Sequence, residues 1–336
     1  GVGSRLGAQP SSMHRIERLI ASGAVDLWCR LCRSGGSEPS SLVLRQEAAR
    51  ALGNVAAFCE GAAEQLVTLG CIDALIALMS DDILDSPVGV GAVHAALDAL
   101  ANQYGSHGSL PSMANAKCLE ALVSLSTCDS PEVAESSGWL LCLLSTEAST
   151  AHATVAYPPI LPTIVSYGRR DSPSAQEEAA WALAALSAEP ESADKLAASD
   201  SCYDLLLSLL HNGCEAVRLQ AAWGLANLAL HPIGKQRLAE LPSVGPLVAA
   251  LHASHTEDDL LHQALRCLGS ILAAPLGRLQ LLDLDETKAQ GGAEGALRLL
   301  VGYSAHRNAS IGDAAMRSIA HACAQPCSAA PLFLAV

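Results

Sequence analysis

The chain has 336 residues, 50% of them hydrophobic and only 16% charged, enough for one large domain or two ordinary ones and too little charge for disorder. With Trp 4, Tyr 5 and Phe 2, the core must be built from Leu, Val and Ala, which favours close-packed helices over a β-sandwich or a parallel α/β sheet. A formal net charge of −14 repels phosphate backbones and anionic lipid, and the densest basic spot is only Arg169-Arg170, so no nucleic-acid partner is expected.

In chain order, apolar residues at i, i+3, i+4, i+7 spacing predict a first series of helices over 22–32, 69–79, 116–126, 158–168, 200–210, 243–253 and 291–301. Several of these follow a Gly or Pro that breaks a short preceding helix, as at 62–69 before Gly70 and 235–241 before Pro242. A second series follows: QEAARALGNVA (46–56), HAALDALANQY (94–104), ESSGWLLCLLS (135–145), EEAAWALAALS (177–187), LQAAWGLANLA (219–229), HQALRCLGSIL (262–272) and DAAMRSIAHAC (313–323). Their shared apolar position falls at Leu52, Leu100, Leu141, Leu183, Leu225, Leu268 and Ile319, in steps of 48, 41, 42, 42, 43 and 51. A period near 42 residues marks a repeat protein. Each unit reads as a short helix, a sharp turn, a longer helix, a polar turn and a second long helix.

The longer steps mark insertions, placed at 81–89 and at the acidic stretch 283–290. YGSHGSLPSM (104–113) is expected to replace the short first helix of the third unit with a loop. The apolar end Pro331-Leu332-Phe333-Leu334-Ala335-Val336 is expected either to fold back over the last unit or to dock elsewhere, because terminal repeats normally carry a polar outer face.

The twelve cysteines are scattered through apolar helical stretches rather than loops, so they read as buried free thiols in a reducing intracellular compartment. Cytoplasm or nucleus fits, and an organelle fits if a targeting segment was removed. Cys29-Arg30-Leu31-Cys32 matches C-x-x-C but has no second pair at zinc spacing. No apolar run approaches the ~18 residues of a membrane span. The chain opens at Gly1 with no signal segment, which reads as a processed or trimmed form.

The 42-residue step, the Gly-small-(Ile/Val)-x-x-Leu second helix and the A-(A)-W/R-x-L-x-N third helix resemble the armadillo repeat family over roughly residues 16–325. The resemblance implies an all-α, right-handed α-solenoid forming a single domain of about seven repeats. Their bounds are approximately 16–57, 58–105, 106–146, 147–188, 189–230, 231–273 and 274–325, with a tail at 326–336. It also implies that the third helix of each unit lines a concave groove. One column on that helix reads Arg50, Asp98, Trp139, Trp181, Trp223, Arg266 and Arg317. One turn later come Asn54, Asn102, Leu143, Ala185, Asn227, Ser270 and His321. Three of the four tryptophans fall in the first column, in consecutive units.

A Trp wall suits an aliphatic stem or a cation, and an Asn one turn away can hold an extended backbone. The arrangement looks like the Trp–Asn array by which importin-α-type adaptors bind basic signals, although only Trp223/Asn227 is a complete pair. The candidate partner-binding residues are therefore Trp139, Trp181, Trp223, Asn227, Asn54, Asn102, Arg50 and Arg266. Three readings of the Trp column stay open: core filling between neighbouring helices, an open peptide groove, and a groove filled by a partner subunit.

Weaker candidates are His252, His255 and His262 as metal ligands, and Glu257-Asp258-Asp259 and Glu177-Glu178 as helix caps or as a rim attracting a basic peptide. No nucleophile elbow, metal triad or phosphate loop is present, so no enzyme activity, metal or cofactor is expected. The expected function is a protein-interaction scaffold or adaptor within a larger assembly. A transport receptor for basic peptides is the alternative, and an enzyme subunit a remote one.

Overall fold

The computed structural model describes residues 10–58, 60–104, 109–253, 257–284 and 291–324. Among them every regular element is a helix. The chain divides into two compact units, residues 1–163 and 164–336. The 283–290 insertion lies largely outside the described residues, and the apolar C-terminal end and His255 lie wholly outside them.

Both predicted series are helices. The second series gives the long helices Pro39–Phe58, Pro87–Tyr104, Pro131–Thr146, Pro173–Ala188, Glu215–Leu228, Asp258–Leu272 and Ala309–Ala322. Proline opens the first four, where its fixed φ suits the first turn and its missing N–H costs nothing. Ser172 caps the Pro173–Ala188 helix by accepting from Ala175 N. Gly23, Gly70 and Gly291 hold φ of 76°, 73° and 77° immediately before a helix of the first series, the left-handed turn that lets the preceding short segment stop and the chain reverse. The expectation for residues 104–113 is corrected in part: Leu110–Met113 forms a short helix with Leu110 and Met113 buried. The 81–89 insertion is likewise packed rather than loose, as Asp81–Ile83 turns in a 3-10 helix with Ile83 buried.

Within each unit the long helices stack side by side, and what lets them approach is a column of small residues. In unit 1 a Cβ on Gly53 would lie 3.0 Å from Ala99 Cα. In unit 2 a Cβ on Gly269 would lie 3.0 Å from Ser318 Oγ, and one on Gly224 would lie 3.4 Å from Ala184 Cα. The position just after the shared apolar residue reads Gly53, Ala101, Cys142, Ala184, Ala226, Gly269 and Ala320, so this position never carries a branched side chain. This is what the aromatic-poor composition achieves: short interhelix spacing filled by Ala and Leu.

A second small-residue position recurs where each long helix hands over to the next short one. Thr150 Oγ1 donates to Leu144 O at 2.6 Å. The equivalent pairs are Ser192 with Leu186, Gly234 with Leu228 and Gly277 with Ile271, six residues apart each time. A Cβ on Gly234 would sit 2.2 Å from Leu228 O, and one on Gly277 would sit 2.3 Å from Ile271 O. The corner is thus closed by backbone contact.

Gln280 ties consecutive repeats in unit 2. Its Nε2 donates to Ala239 O (2.6 Å) and Leu241 O (2.7 Å), and its Oε1 accepts from Ser243 N (3.1 Å) and Val244 N (3.2 Å). One amide bonds four backbone groups across the turn that joins the Pro232–Glu240 and Val244–Ala253 helices. Gln280→Ala is expected to cost about 2 kcal/mol, because part-buried donors and acceptors lose their partner. Urea unfolding followed by far-UV circular dichroism measures it, and an unchanged midpoint would contradict this role.

The described cysteines are free, and Cys29, Cys32, Cys71, Cys118, Cys142, Cys202 and Cys267 are buried. In the C-x-x-C segment, Cys29 lies against Cys71, with the two Sγ atoms 3.1 Å apart. Burial pushes the thiols of Cys118 and Cys267 up to about 12, so both stay protonated and unreactive at pH 8. Brief iodoacetamide treatment of the folded chain should modify the exposed Cys214 and spare these two, as read by peptide mass mapping. Equal labelling of Cys118 and Cys214 would refute the packing. No described helix is long and apolar enough to cross a membrane.

Candidate functional site

In unit 1, Arg50, Asn54, Asp98, Asn102 and Trp139 come together from three successive long helices. With Gly53 and Ala99 they line a cleft of about 390 Å3. Arg50 and Asn54 are exposed, and Asn102 and Trp139 are partly so. Arg50 pairs with Glu47 at 2.8 Å, an exposed contact one turn away that a ligand can displace cheaply. Asp98 lies 3.2 Å from His94 Nδ1 on the same helix.

Unit 2 holds Trp181, Trp223, Asn227 and Arg266 on three successive long helices. Trp181 is 37% exposed, and Trp223 and Arg266 are partly exposed. Neither Trp181 nor Trp223, nor Trp139 in unit 1, belongs to the buried core. The neighbours that do fill it are Ala180, Ala182, Leu183, Ala222 and Leu225. Helical spacing accounts for this split, since the Trp column is offset from the core stripe by about half a turn.

Asn227 is engaged between helices. Its Nδ2 donates to Ala184 O (3.4 Å) and Ser187 Oγ (3.3 Å), and its Oδ1 accepts from Arg266 Nη2 (3.5 Å). His321, at the same repeat position, contacts Gly269 O through Nδ1 at 2.7 Å. In unit 1, Asn102 Nδ2 would lie 3.4 Å from a Cβ on Gly53. In unit 2 this column therefore reaches back to the carbonyl of a small residue on the preceding helix, Ala184 for Asn227 and Gly269 for His321. This first task of Asn227 and His321 is structural, although the Asn227 contacts are long and exchangeable.

The acidic clusters are also engaged. Glu257 pairs with Arg218 at 2.9 Å. Asp258 lies 3.8 Å from Arg307 and accepts from Asn308 Nδ2 at 3.2 Å. Glu257 and Asp258 thus bind neighbouring elements of unit 2 rather than forming an unoccupied acidic rim. Glu177 alone of these residues is exposed on a Trp-bearing helix, one turn before Trp181. Among the described residues no group of three or more His, Cys, Asp or Glu could hold a metal ion.

The HEAT-like repeat family matches residues 173–228, the segment that carries Trp181, Trp223 and Asn227. No curated protein sequence matches the chain. Among solved structures, an engineered protein superposes with a TM-score of 0.72 at 24% identity, over 98% of this chain and 74% of that one. A second engineered protein gives 0.60 at 24% identity, over 74% of this chain and 99% of that one. A designed armadillo repeat protein in complex with the peptide (KR)4 gives 0.58 at 22% identity, over 74% of this chain and 98% of that one. The chain has the armadillo-type repeat fold.

Within this armadillo-type fold, two features escaped the sequence reading. The interhelix role of Asn227 and His321 depends on a carbonyl exposed on the neighbouring helix, which no local pattern reports. The corner residues Thr150, Ser192, Gly234 and Gly277 did carry a signal, a small residue recurring at steps of 42, 42 and 43. It went unread because these residues share size rather than chemical type.

Proposed function

We propose that this armadillo-type chain is a non-catalytic interaction scaffold that binds an extended segment of a protein partner across the exposed faces of its long helices. The observation that carries the reading is the exposure of Trp139, Trp181 and Trp223 outside the buried core. A chain with only four tryptophans would bury them if packing were their purpose, because each buries about 150–250 Å2 of surface. Rigid aromatic faces left open are the usual anchors of an interface.

Trp181, Trp223, Asn227 and Arg266 form the candidate surface in unit 2. Arg50, Asn54, Asn102 and Trp139 form the one in unit 1. Neighbouring long helices at about 8–10 Å match about three residues of extended peptide per rung. Membership of a larger assembly, and a reducing intracellular compartment, are parts of the same proposal, the latter resting on the buried free thiols.

A displayed library of random twelve-residue peptides tests the proposal. It is panned on the wild-type chain and counter-screened on Trp181→Ala/Trp223→Ala. The proposal requires enriched peptides that lose most of their binding to the variant while its helicity is unchanged. Peptides that bind both proteins equally would place recognition elsewhere.

Transport of basic signals is the second reading, and the similarity to a designed protein that holds (KR)4 favours it. Glu177 beside Trp181 also favours it, because carboxylate and ring together suit a Lys or Arg. Against it stand the cations that follow Trp223 in the column.

A further inference from the structure

The column in unit 2 changes character along its length. Trp181 and Trp223 occupy the first two rungs, and Arg266 and Arg317 the next two. Both arginines reach solvent: Arg317 is exposed and Arg266 partly so. Arg266 bonds to two neutral amides, Gln263 Oε1 and Asn227 Oδ1, and makes no ion pair with a described residue. Arg317 likewise makes no ion pair with a described residue, although Asp313 stands one turn before it. Elsewhere in unit 2 Arg218 pairs with Glu257, Arg237 with Asp200 and Glu240, and Arg298 with Glu294, while Arg278 donates to the backbone carbonyls of Leu272 and Ala273. Arg266 and Arg317 thus place two guanidiniums, neither ion-paired with a described residue, on adjacent long helices of a protein with net charge −14.

The two charges act on one place. His262, one turn before Arg266, has its pKa lowered, first by burial and then by the charges of Arg266 and Arg317, with Asp259 acting in the opposite sense. His262 therefore adds no positive charge of its own beside Arg266 and Arg317 at neutral pH, and the carboxylates nearest in sequence on the same two helices are Asp259, one turn before His262, and Asp313, one turn before Arg317.

Resting on the reading of this face as a peptide-binding surface, we infer that its occupant is an acidic segment. It lays two apolar or long-stemmed side chains over Trp181 and Trp223 and presents Asp or Glu to Arg266 and Arg317. Charge complementarity chooses the occupant, since guanidiniums without an ion-pair partner among the described residues match carboxylates in forked geometry. A Lys- or Arg-rich segment would meet two like charges at these rungs. The rung spacing of about 8–10 Å sets the acidic residues about three apart along an extended chain.

The probe is a fluorescein-labelled peptide, Leu-Ser-Ser-Leu-Ser-Ser-Glu-Ser-Ser-Glu, together with its reversed sequence, since either chain direction satisfies the spacing. The comparison peptides carry Lys in place of both Glu. Fluorescence anisotropy on the full chain should show one Glu peptide binding at least tenfold tighter than its Lys counterpart, with the preference shrinking as salt is added. Arg266→Gln/Arg317→Gln, which keeps hydrogen-bonding side chains, should abolish the preference, and Arg266→Glu/Arg317→Glu should reverse it. Circular dichroism confirms that both variants are folded.

Tighter binding of the Lys peptide, or a Glu preference that survives Arg266→Gln/Arg317→Gln, overturns the acidic occupant while leaving a peptide face in place. Failure of all four peptides to bind overturns both readings, as does binding unaffected by Trp181→Ala/Trp223→Ala.

Discussion

Replacing Trp223 with Ala is expected to weaken binding of a groove peptide about 30-fold, equivalent to about 2 kcal/mol, while far-UV circular dichroism and the unfolding midpoint barely move. Both halves of the expectation follow from position. Trp223 is partly exposed on the Glu215–Leu228 helix, so truncating it opens no cavity, and Ala has the higher helix propensity. Its neighbours Ala222, Leu225 and Ala226 are fully buried and hold the helix in place without it. Isothermal titration with a peptide selected on the wild-type chain measures the loss. Unchanged affinity would remove Trp223 from the interface, and a collapse of helicity would assign it to the core after all.

The second large effect is on stability. Gly234→Val is expected to destabilise unit 2 by about 3 kcal/mol, since the new Cβ would overlap Leu228 O, 2.2 Å away, and this corner would have to open to the wider spacing that Thr150 has in its own. Gly302→Ala is the control, because a Cβ there meets nothing within 4 Å. Urea unfolding of both variants against the wild type decides it. Similar midpoints for Gly234→Val and the wild type would mean that the corner is not closed by backbone contact. In stacked repeats such a defect weakens the interfaces on either side of it, because stability is a sum of neighbour terms.

The fold was legible because two regularities coincide in the sequence, a helical apolar spacing and a step near 42 residues. Leu183, Leu225 and Leu268 recur at that step and are all fully buried. The site was legible only in part. The Trp column could be found from the repeat alignment, but its exposure could not, because a Trp flanked by Ala fits a tight seam as well as an open face. Only the offset between the Trp column and the Ala/Leu stripe in the folded helices separates the two. The contacts of Asn227 were hidden for a related reason. A polar residue one turn from Trp looks like part of a binding ladder, yet Asn227 spends its amide on Ala184 and Ser187 of the helix before it. Glu257, Asp258 and Asp259 open the Asp258–Leu272 helix as expected, but Glu257 makes no side-chain cap bond, and Glu257 and Asp258 face partners that are distant in sequence.

The proposed recognition surface is the column of Trp and Arg side chains together with the Asn residues beside it, of which Asn227 also bonds to the preceding helix.

Site-specific photo-crosslinking tests that surface most directly. A benzophenone amino acid is placed in turn at position 181, at position 223 and at Ile233, an exposed residue of the short Pro232–Glu240 helix. Each protein is irradiated with a peptide selected on the wild-type chain, and adducts are mapped by mass spectrometry. The peptide-face account predicts adducts from positions 181 and 223, to peptide residues about three apart, and none from position 233. Adducts formed equally at all three positions, or only at position 233, would contradict it.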